Sequence, residues 1–348
     1  MGRNSINIES KNIFKARWKI FKSNKRAFYS LIIFSVIFVV TLFAEFIAND
    51  KPILIYKDNK LFLPMFEFVS EVDLGGDFLS EPDFNDEFVK NLLKDSFVIY
   101  PLIHYSYKSI ILDLKTPAPT PPDLKHLLGS DDLARDVLAR LIYGLRISII
   151  FGLVLSFFSV ILGVAIGAFQ GYYGGLVDLI GQRVIEIYSS VPILFLLIIL
   201  SSFINPSFFW ILVIVLAFSW IGLASIVRAE FLKAKNMDFV KAALALGLSP
   251  FKIMFKHILP NAMVATITYI PFIMVGSITT LVTLDFIGFG LPPGSASLGE
   301  LLEQAKNNLT SPHLALSGFL SVVIILSVLV FIGEGLKEAL DSKHNLEN

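Results

Sequence analysis

Few residues in this 348-residue chain are arranged for bond-making chemistry. The five histidines, His104, His126, His257, His313 and His344, show no H-E-x-x-H or other ligand spacing. There is no cysteine to bind zinc or form a disulfide. No serine sits in a G-x-S-x-G elbow, and no G-x-x-x-x-G-K-[ST] loop is present to cradle ATP phosphates. Any work driven by ATP therefore needs a second protein. Glu45, Arg146 and Asp285 fall beside long apolar runs. Ionisable groups inside a membrane can relay protons or touch substrate; near the ends of such runs they more simply cap helices or snorkel to water. The remaining candidate is a contact surface: VKAALALGLSPFKIMFKHILPNA, residues 240–262, basic and full of helix punctuation.

That stretch interrupts a very apolar chain. The sequence is 55% hydrophobic and 17% charged, with mean hydropathy +0.70, against about 25% charged residues in soluble domains. The formal net charge is zero, so the total gives no sign of nucleic acid and none is expected as a partner. A membrane helix needs about 20 mostly apolar residues. Six segments qualify: 28–48, 147–169, 184–204, 208–227, 262–284 and 314–332. The third is weakest, with Glu186 and Pro192, and the fifth contains Pro271. The first ends in AEFIAND without a small-residue cleavage site and reads as a retained anchor. Buried helices of a large soluble core are the alternative, and six long runs argue against it. Gly152, Gly163 and Gly167 suit close helix packing.

Lys and Arg set the orientation. Residues 1–27 hold Arg3, Lys11, Lys15, Arg17, Lys19, Lys22, Lys25 and Arg26 against Glu9, which places this tail in the cytoplasm. Six crossings return the tail 341–348 to the same side. The loop 228–261 also falls inside, with Arg228, Lys233, Lys235, Lys241, Lys252 and Lys256 against Glu230 and Asp238. The loop 285–313, whose one cation is Lys306, falls outside; its LPPGSASLGE re-enters or caps the outer mouth. The expected fold is an all-α polytopic membrane protein. It has a basic cytoplasmic tail (1–27), a first transmembrane helix (28–48), a small mixed periplasmic insertion (49–145) and a five-helix core (146–340).

Within the insertion, KPILIYKDNKLFLP reads as two short strands around a polar turn. SEPDFNDEFVKNLLKD reads as a short helix, and TPAPTPPD as a stiff spacer. GSDDLARDVLARLIYG reads as a helix with acids in its first turn and Leu133, Val137, Leu138 and Leu141 on one face. The insertion's acids suit either a basic ligand or a solvated face.

In the loop, Asp238 is placed to cap a helix over 239–246, with Ala242, Ala243 and Ala245 as a thin flank. Gly247 stands where a left-handed helix stop is needed. Ser249 and Pro250 begin a second helix with Phe251, Met254, Phe255 and Ile258 as its apolar stripe, and Pro260 closes it. A connector needs no such architecture. The loop suits docking onto a cytoplasmic partner; the alternative is a helix pair lying on its own bundle.

The stretch resembles the EAA loop of membrane subunits of bacterial ABC importers: Glu-Ala-Ala, three residues, Gly, then nine residues before Ile-x-Leu-Pro. Here Lys241-Ala242-Ala243, Gly247 and His257-Ile258-Leu259-Pro260 keep that spacing, with Lys241 in place of Glu and His257 in place of Ile. HILPN, LGSDDLARDVLARLIYGLRISIIFG, GAFQGYYGG and LDFIGFGLPPGSASLGELL are similar to the dipeptide/oligopeptide branch. FIANDKPILIY and LKTPAPTPPD are most similar to the microcin C/oligopeptide uptake permease. The resemblance implies a non-catalytic permease subunit with Asp238, Lys241, Ala242, Ala243, Gly247, His257, Leu259 and Pro260 in its coupling loop. It implies an ATP-binding cassette ATPase that holds ATP and Mg, a second homologous permease and a periplasmic substrate-binding protein, all at the inner membrane. An ion-gradient-driven secondary transporter predicts inverted repeats and midplane charges. A membrane-anchored factor working through 49–145 predicts a catalytic constellation there. The sequence shows neither.

Overall fold

The computed structural model describes residues 15–114 and 116–341. Arg3, Glu9 and Lys11 of the basic tail, Lys115 beside the spacer, and residues 342–348 with His344 lie outside the described residues. A helical segment at 15–23 precedes α1 (Lys25–Leu42) and the short α2 (Ala44–Ile47). Then come β1 (Leu54–Lys57), β2 (Lys60–Phe62), α3 (Glu87–Leu92), β3 (Phe97–Ile99) and α4 (Val137–Tyr173). The chain continues through α5 (Gly175–Ser189), α6 (Ile193–Ser201), α7 (Phe208–Lys235), α8 (Asp238–Ala245) and α9 (Pro250–Ile253). A π-helical turn (Met254–Ile258) leads into α10 (Leu259–Phe286), followed by α11 (Leu298–Asn307) and α12 (Pro312–Asp341).

Among the described residues, five helices are long and apolar enough to cross a membrane: α1, α4, α7, the continuous run Pro250–Phe286, and α12. The count becomes six if α5 and α6, bent by 59°, form one broken span. The break falls at Pro192, extended at φ −70° and ψ 105°. A proline lacks the N–H that would continue the ladder and drives its predecessor out of helical geometry. The weakest of the six expected segments is therefore the broken one.

The chain packs as two units. Among the described residues, the first combines those up to Val36, Ile149–Leu284 and those from Val323 to Asp341. Here the small residues of α4 let α7 approach. A Cβ placed on Gly163 would lie 3.0 Å from Leu223 Cβ, and one on Gly171 2.6 Å from Phe231 Cβ. On Gly167 it would strike the Ala224 carbonyl oxygen. Glycines four residues apart lie on one helix face, so they form a stripe against α7. Gly152 faces Ile278. Arg228 of α7 holds Asp178 of α5 with both Nε and Nη2, the latter 2.6 Å from Oδ2.

The second unit comprises Ile37–Ser148 and Asp285–Val322. Its sheet is antiparallel in the order β2-β1-β3. Asp58 and Asn59, at φ 49° and 60°, make the expected hairpin turn; both central residues left-handed is the geometry that matches strand twist. Ile55 of β1 is fully buried among Val69, Leu74, Phe84, Val89 and Leu93. The expected short helix is α3, with Asp86 accepting from the Phe88 N–H at 3.0 Å. Strand β3 was not legible: FVI is three residues long, with Phe97 and Ile99 exposed. A cleft of about 660 Å³ is lined by Asp50, Glu81, Asp83 and Asp113 together with Lys51 and Lys90. Lys51 pairs with Glu81, and Lys125 with Asp113 at 3.3 Å, which favours a solvated charged face over a basic-ligand site.

The helix expected over GSDDLARDVLARLIYG begins later. Residues 130–136 form a turn with Ala134 at φ 57°, and Leu133 is exposed. Asp136 is the residue that caps α4, accepting from the Ala139 N–H at 2.9 Å, and its other oxygen meets His126 Nδ1 at 2.9 Å. Three of the remaining charges fold inward, while Asp132 stays exposed. Asp131, Arg135 and Arg140 are buried. Arg135 Nε donates to Asp131 at 2.7 Å, and its Nη2 reaches Glu300 of α11 at 3.0 Å. Arg140 Nη2 donates to Glu300 at 2.7 Å and to the Ser295 carbonyl at 2.8 Å. Taking charges out of water demands such pairing.

The three candidates beside the apolar runs have structural partners. Arg146 lies within α4, not at its start, and donates to both Glu45 oxygens at 2.6 and 2.8 Å. Asp285 accepts from the Leu291 N–H at 2.6 Å and from Ser297 Oγ, so it pins LPPGSASLGE against the end of α10.

Candidate docking surface

The surface begins where α7 ends. Asn236 stops that helix, Met237 turns extended at φ −78° and ψ 150°, and α8 starts at Asp238. Asp238 is thus the first helical residue and not the cap. Met237 occupies the cap position, and no side chain bonds the free N–H groups there. An acid in the first turn still complements the positive end of the helix dipole. Asp238 is exposed, 3.8 Å from Lys241 Nζ one turn on.

Packing decides which face of α8 is free. Val240 and Ala243 are buried, sharing a core with Phe231, Ala234, Ile253, Met254 and Ile258. Ala243 is only 4% exposed, so the thin outward flank consists of Ala242 and Ala245, which are exposed beside Lys241. Ala243 belongs to the opposite side, where a small residue lets α8 sit on its own bundle. An exposed face and a bundle-packing face coexist on one helix.

Gly247 ends α8 in the conformation expected. It lies at φ +73°. The Leu248 N–H reaches back to the Ala243 carbonyl at 3.2 Å, and the Gly247 N–H to the Leu244 carbonyl at 2.9 Å. These two bonds form a complete Schellman motif, satisfying carbonyls that the helix end would otherwise orphan. Leu248 then packs onto the same core as Ala243. A Cβ at Gly247 would meet nothing within 4 Å, so backbone conformation alone selects glycine here.

Pro250 opens the next helix at its first position, while Ser249 adopts extended geometry without a side-chain capping bond. The expected stripe of Phe251, Met254, Phe255 and Ile258 is split. Met254 and Ile258 are buried, whereas Phe251 and Phe255 face outward with ring centroids 4.3 Å apart. Pro260 does not close this helix. The chain runs through it because the preceding turn is π-helical: the Leu259 N–H donates to the Met254 carbonyl five residues back. Proline cannot donate to a carbonyl four residues back, and here a single π turn carries the chain up to it. His257 is half-buried, its carbonyl accepting from Asn261 Nδ2 at 3.3 Å, and Leu259 packs on the core.

The exposed face therefore presents Ala242, Ala245, Leu246, Gly247, Phe251 and Phe255, rimmed by Lys241, Lys252 and Lys256. Leu246 is 80% exposed and Phe251 69%. Apolar groups gathered on one exposed loop make it a candidate contact surface. Reading the sequence for spacing missed Leu246. Its signal was position: the residue just before a helix-stopping glycine has left the buried face. The arrangement can fill an apolar groove with an acidic rim, and it offers no group poised for bond chemistry.

Residues 160–345 match the family model described as the binding-protein-dependent transport system inner membrane component. Residues 13–64 match the N-terminal TM domain of oligopeptide transport permease C. The chain is 50% identical to the inner membrane ABC transporter permease protein YejE of Escherichia coli strain K12, over 94% of this chain and 96% of that protein. It is 46% identical to the peptidoglycan transport system permease protein YejE of Agrobacterium fabrum, over 94% and 93%. It is 35% identical to the oligopeptide transport system permease protein OppC of Haemophilus influenzae, over 69% and 77%.

Proposed function

The chain belongs to the binding-protein-dependent transport system inner membrane components, and from that premise we propose that it carries peptides or peptide-like compounds inward as one permease subunit of an ATP-driven importer. The observation that carries this reading is the glycine-bent loop at 238–260, which holds a small-residue flank and two phenylalanines away from its own core. That face suits the groove of an ATP-hydrolysing subunit, with Ala242 and Ala245 at closest approach and Lys241 on the rim.

In this reading ATP and Mg are bound by the partner, and this chain binds no cofactor. Both termini and the loop lie in the cytoplasm; the sheet-bearing segment lies in the periplasm, where a substrate-binding protein delivers cargo. A second homologous permease completes the path. Closure of the ATPases on ATP pushes α8. Because Val240 and Ala243 seat α8 in the same core as Phe231, that push reaches α7, and the glycine stripe passes it to α4. The likeness to an oligopeptide transport system permease supports peptide-type cargo, and the likeness to a peptidoglycan transport system permease adds peptidoglycan to the compounds to be tested. Peptide-nucleotides of the microcin C type belong in it on the sequence resemblance.

The test is uptake of labelled peptides in a strain lacking this chain. Restored uptake that disappears when the partner ATPase loses its P-loop lysine, and that persists with a protonophore at constant ATP, is the expected result. Uptake that follows the proton gradient with an inactive ATPase would overturn the reading in favour of a secondary transporter.

A further inference from the structure

The segment before α1 carries a charge pattern that the docking role leaves unused. Residues 15–23 are helical, and α1 begins at Lys25 after a bend at Asn24. Lys15, Arg17, Lys19, Lys22, Lys25 and Arg26 fall within this short stretch, and no Asp or Glu occurs between Ser10 and Ala44. None of these six cations makes an ion pair with another described residue. Lys22 Nζ instead lies 5.4 Å from the Trp18 ring centroid and 5.7 Å from that of Phe28.

The other side of the segment is fixed in place. Phe21 is buried with Ala27, Leu336 and Ala339. Asn24 Oδ1 accepts from the Ala27 N–H at 3.1 Å, while its Nδ2 donates to Glu338 Oε2 at 2.7 Å. A Cβ on Gly335 of α12 would strike Ala27 and Phe21. The basic helix is therefore pinned to α12, and Glu338, the acid at this contact, is engaged by Asn24. Trp18 and Tyr29 stand exposed on either side of the bend, and such amphipathic rings favour the headgroup level of a bilayer.

We propose that residues 15–26 form a binding site for anionic phospholipid headgroups, seated beside α12. Charge complementarity and direct continuity with the membrane-crossing α1 select lipid as the occupant. Several cations next to a span, without an ion pair among the described residues, attract an anionic leaflet, and the attraction is short-ranged because screening acts over about 8 Å at physiological salt. The proposal rests on the orientation given under Proposed function, with this end in the cytoplasm.

The test uses the full chain in proteoliposomes, with Trp210→Phe and Trp220→Phe leaving Trp18 as the sole tryptophan. Emission is quenched by dibromo-phosphatidylglycerol or by dibromo-phosphatidylcholine at equal mole fraction. The expected quenching slope is at least about twofold steeper for the anionic lipid, falling toward equality in about 0.5 M salt as screening predicts. Lys19→Gln with Lys22→Gln and Lys25→Gln should abolish the preference and leave phosphatidylcholine quenching unchanged, which shows the helix still seated. Equal slopes in the unaltered basic segment, or no quenching by either lipid, would overturn the site. Orientation is read separately: the chain lacks cysteine, so Ser23→Cys is labelled with an impermeant maleimide in inside-out and right-side-out vesicles. Labelling from outside alone would overturn the orientation, and the slope ratio would still decide the headgroup site.

Discussion

Replacing Gly247 tests whether the bend, and not merely the presence of a loop, connects this chain to the proposed ATPase. At φ +73° an L-residue pays a steric cost of about 1–2 kcal/mol from its Cβ against the backbone. Because a Cβ here meets nothing within 4 Å, no other term enters within the chain. The outer half of the loop is exposed, so its local ordering energy is small and a loss of this size reaches the docked population. Gly247→Ala is then expected to lower that population by roughly 5–30-fold. Gly247→Val should be worse, since a β-branched residue at positive φ is an outlier. Gly247→Asn tolerates the left-handed region and should stay within about twofold of wild type. The assay is peptide uptake and substrate-stimulated ATP hydrolysis in the reconstituted complex, with membrane abundance measured alongside. Wild-type uptake by Gly247→Val would refute the reasoning. So would Asn as defective as Val, because that would make side-chain space, not backbone conformation, the requirement.

Ala243→Leu should lose about 1–3 kcal/mol of stability by overpacking a buried site, read as lowered thermal stability in detergent. Ala242→Leu, on the exposed flank, should keep that stability and lose coupled uptake. Gly167→Ala should reduce membrane abundance because its Cβ strikes the Ala224 carbonyl, whereas Gly276→Ala, open and helical, should be neutral or stabilising by about 0.4–1 kcal/mol. Arg140→Met should cost about 3 kcal/mol, the low end for breaking a buried pair, because Glu300 keeps some solvent access. Arg140→Lys should not restore the loss, since one ammonium cannot span Glu300 and the carbonyls of Ser295 and Tyr107, which a melting curve will show.

What the sequence revealed was local. The apolar runs, the Asp58-Asn59 turn and the Gly247 bend each follow from a few neighbouring residues, and the structure has them where expected. Faces were harder. Ala242 and Ala243 look equivalent in sequence, and only contact with Phe231 and Ala234 turns Ala243 inward. The stripe drawn at regular helical spacing split into two buried and two exposed residues, because the core takes Ile253 together with Met254 and Ile258 and so turns Phe251 and Phe255 outward. Asp131 and Arg135 looked like part of a helix start, but Arg135 also pairs with Glu300, 165 residues away along the chain. No spacing rule reaches that far. Strand β3 escaped for a related reason: only its pairing with β1 gives three residues an identity.

The central claim is that the exposed face of the 238–260 loop seats on an ATP-hydrolysing subunit. The absence of native cysteine lets single cysteines report on it directly. Ala242→Cys and Ala245→Cys, each paired with cysteines along the groove of the ATPase in the assembled complex, should form cross-links with a short bifunctional reagent. The buried Ala243→Cys should form none. Cross-linking at Ala243 with none at Ala242 or Ala245, or no cross-link at any of the three in an assembled and active complex, would contradict the account.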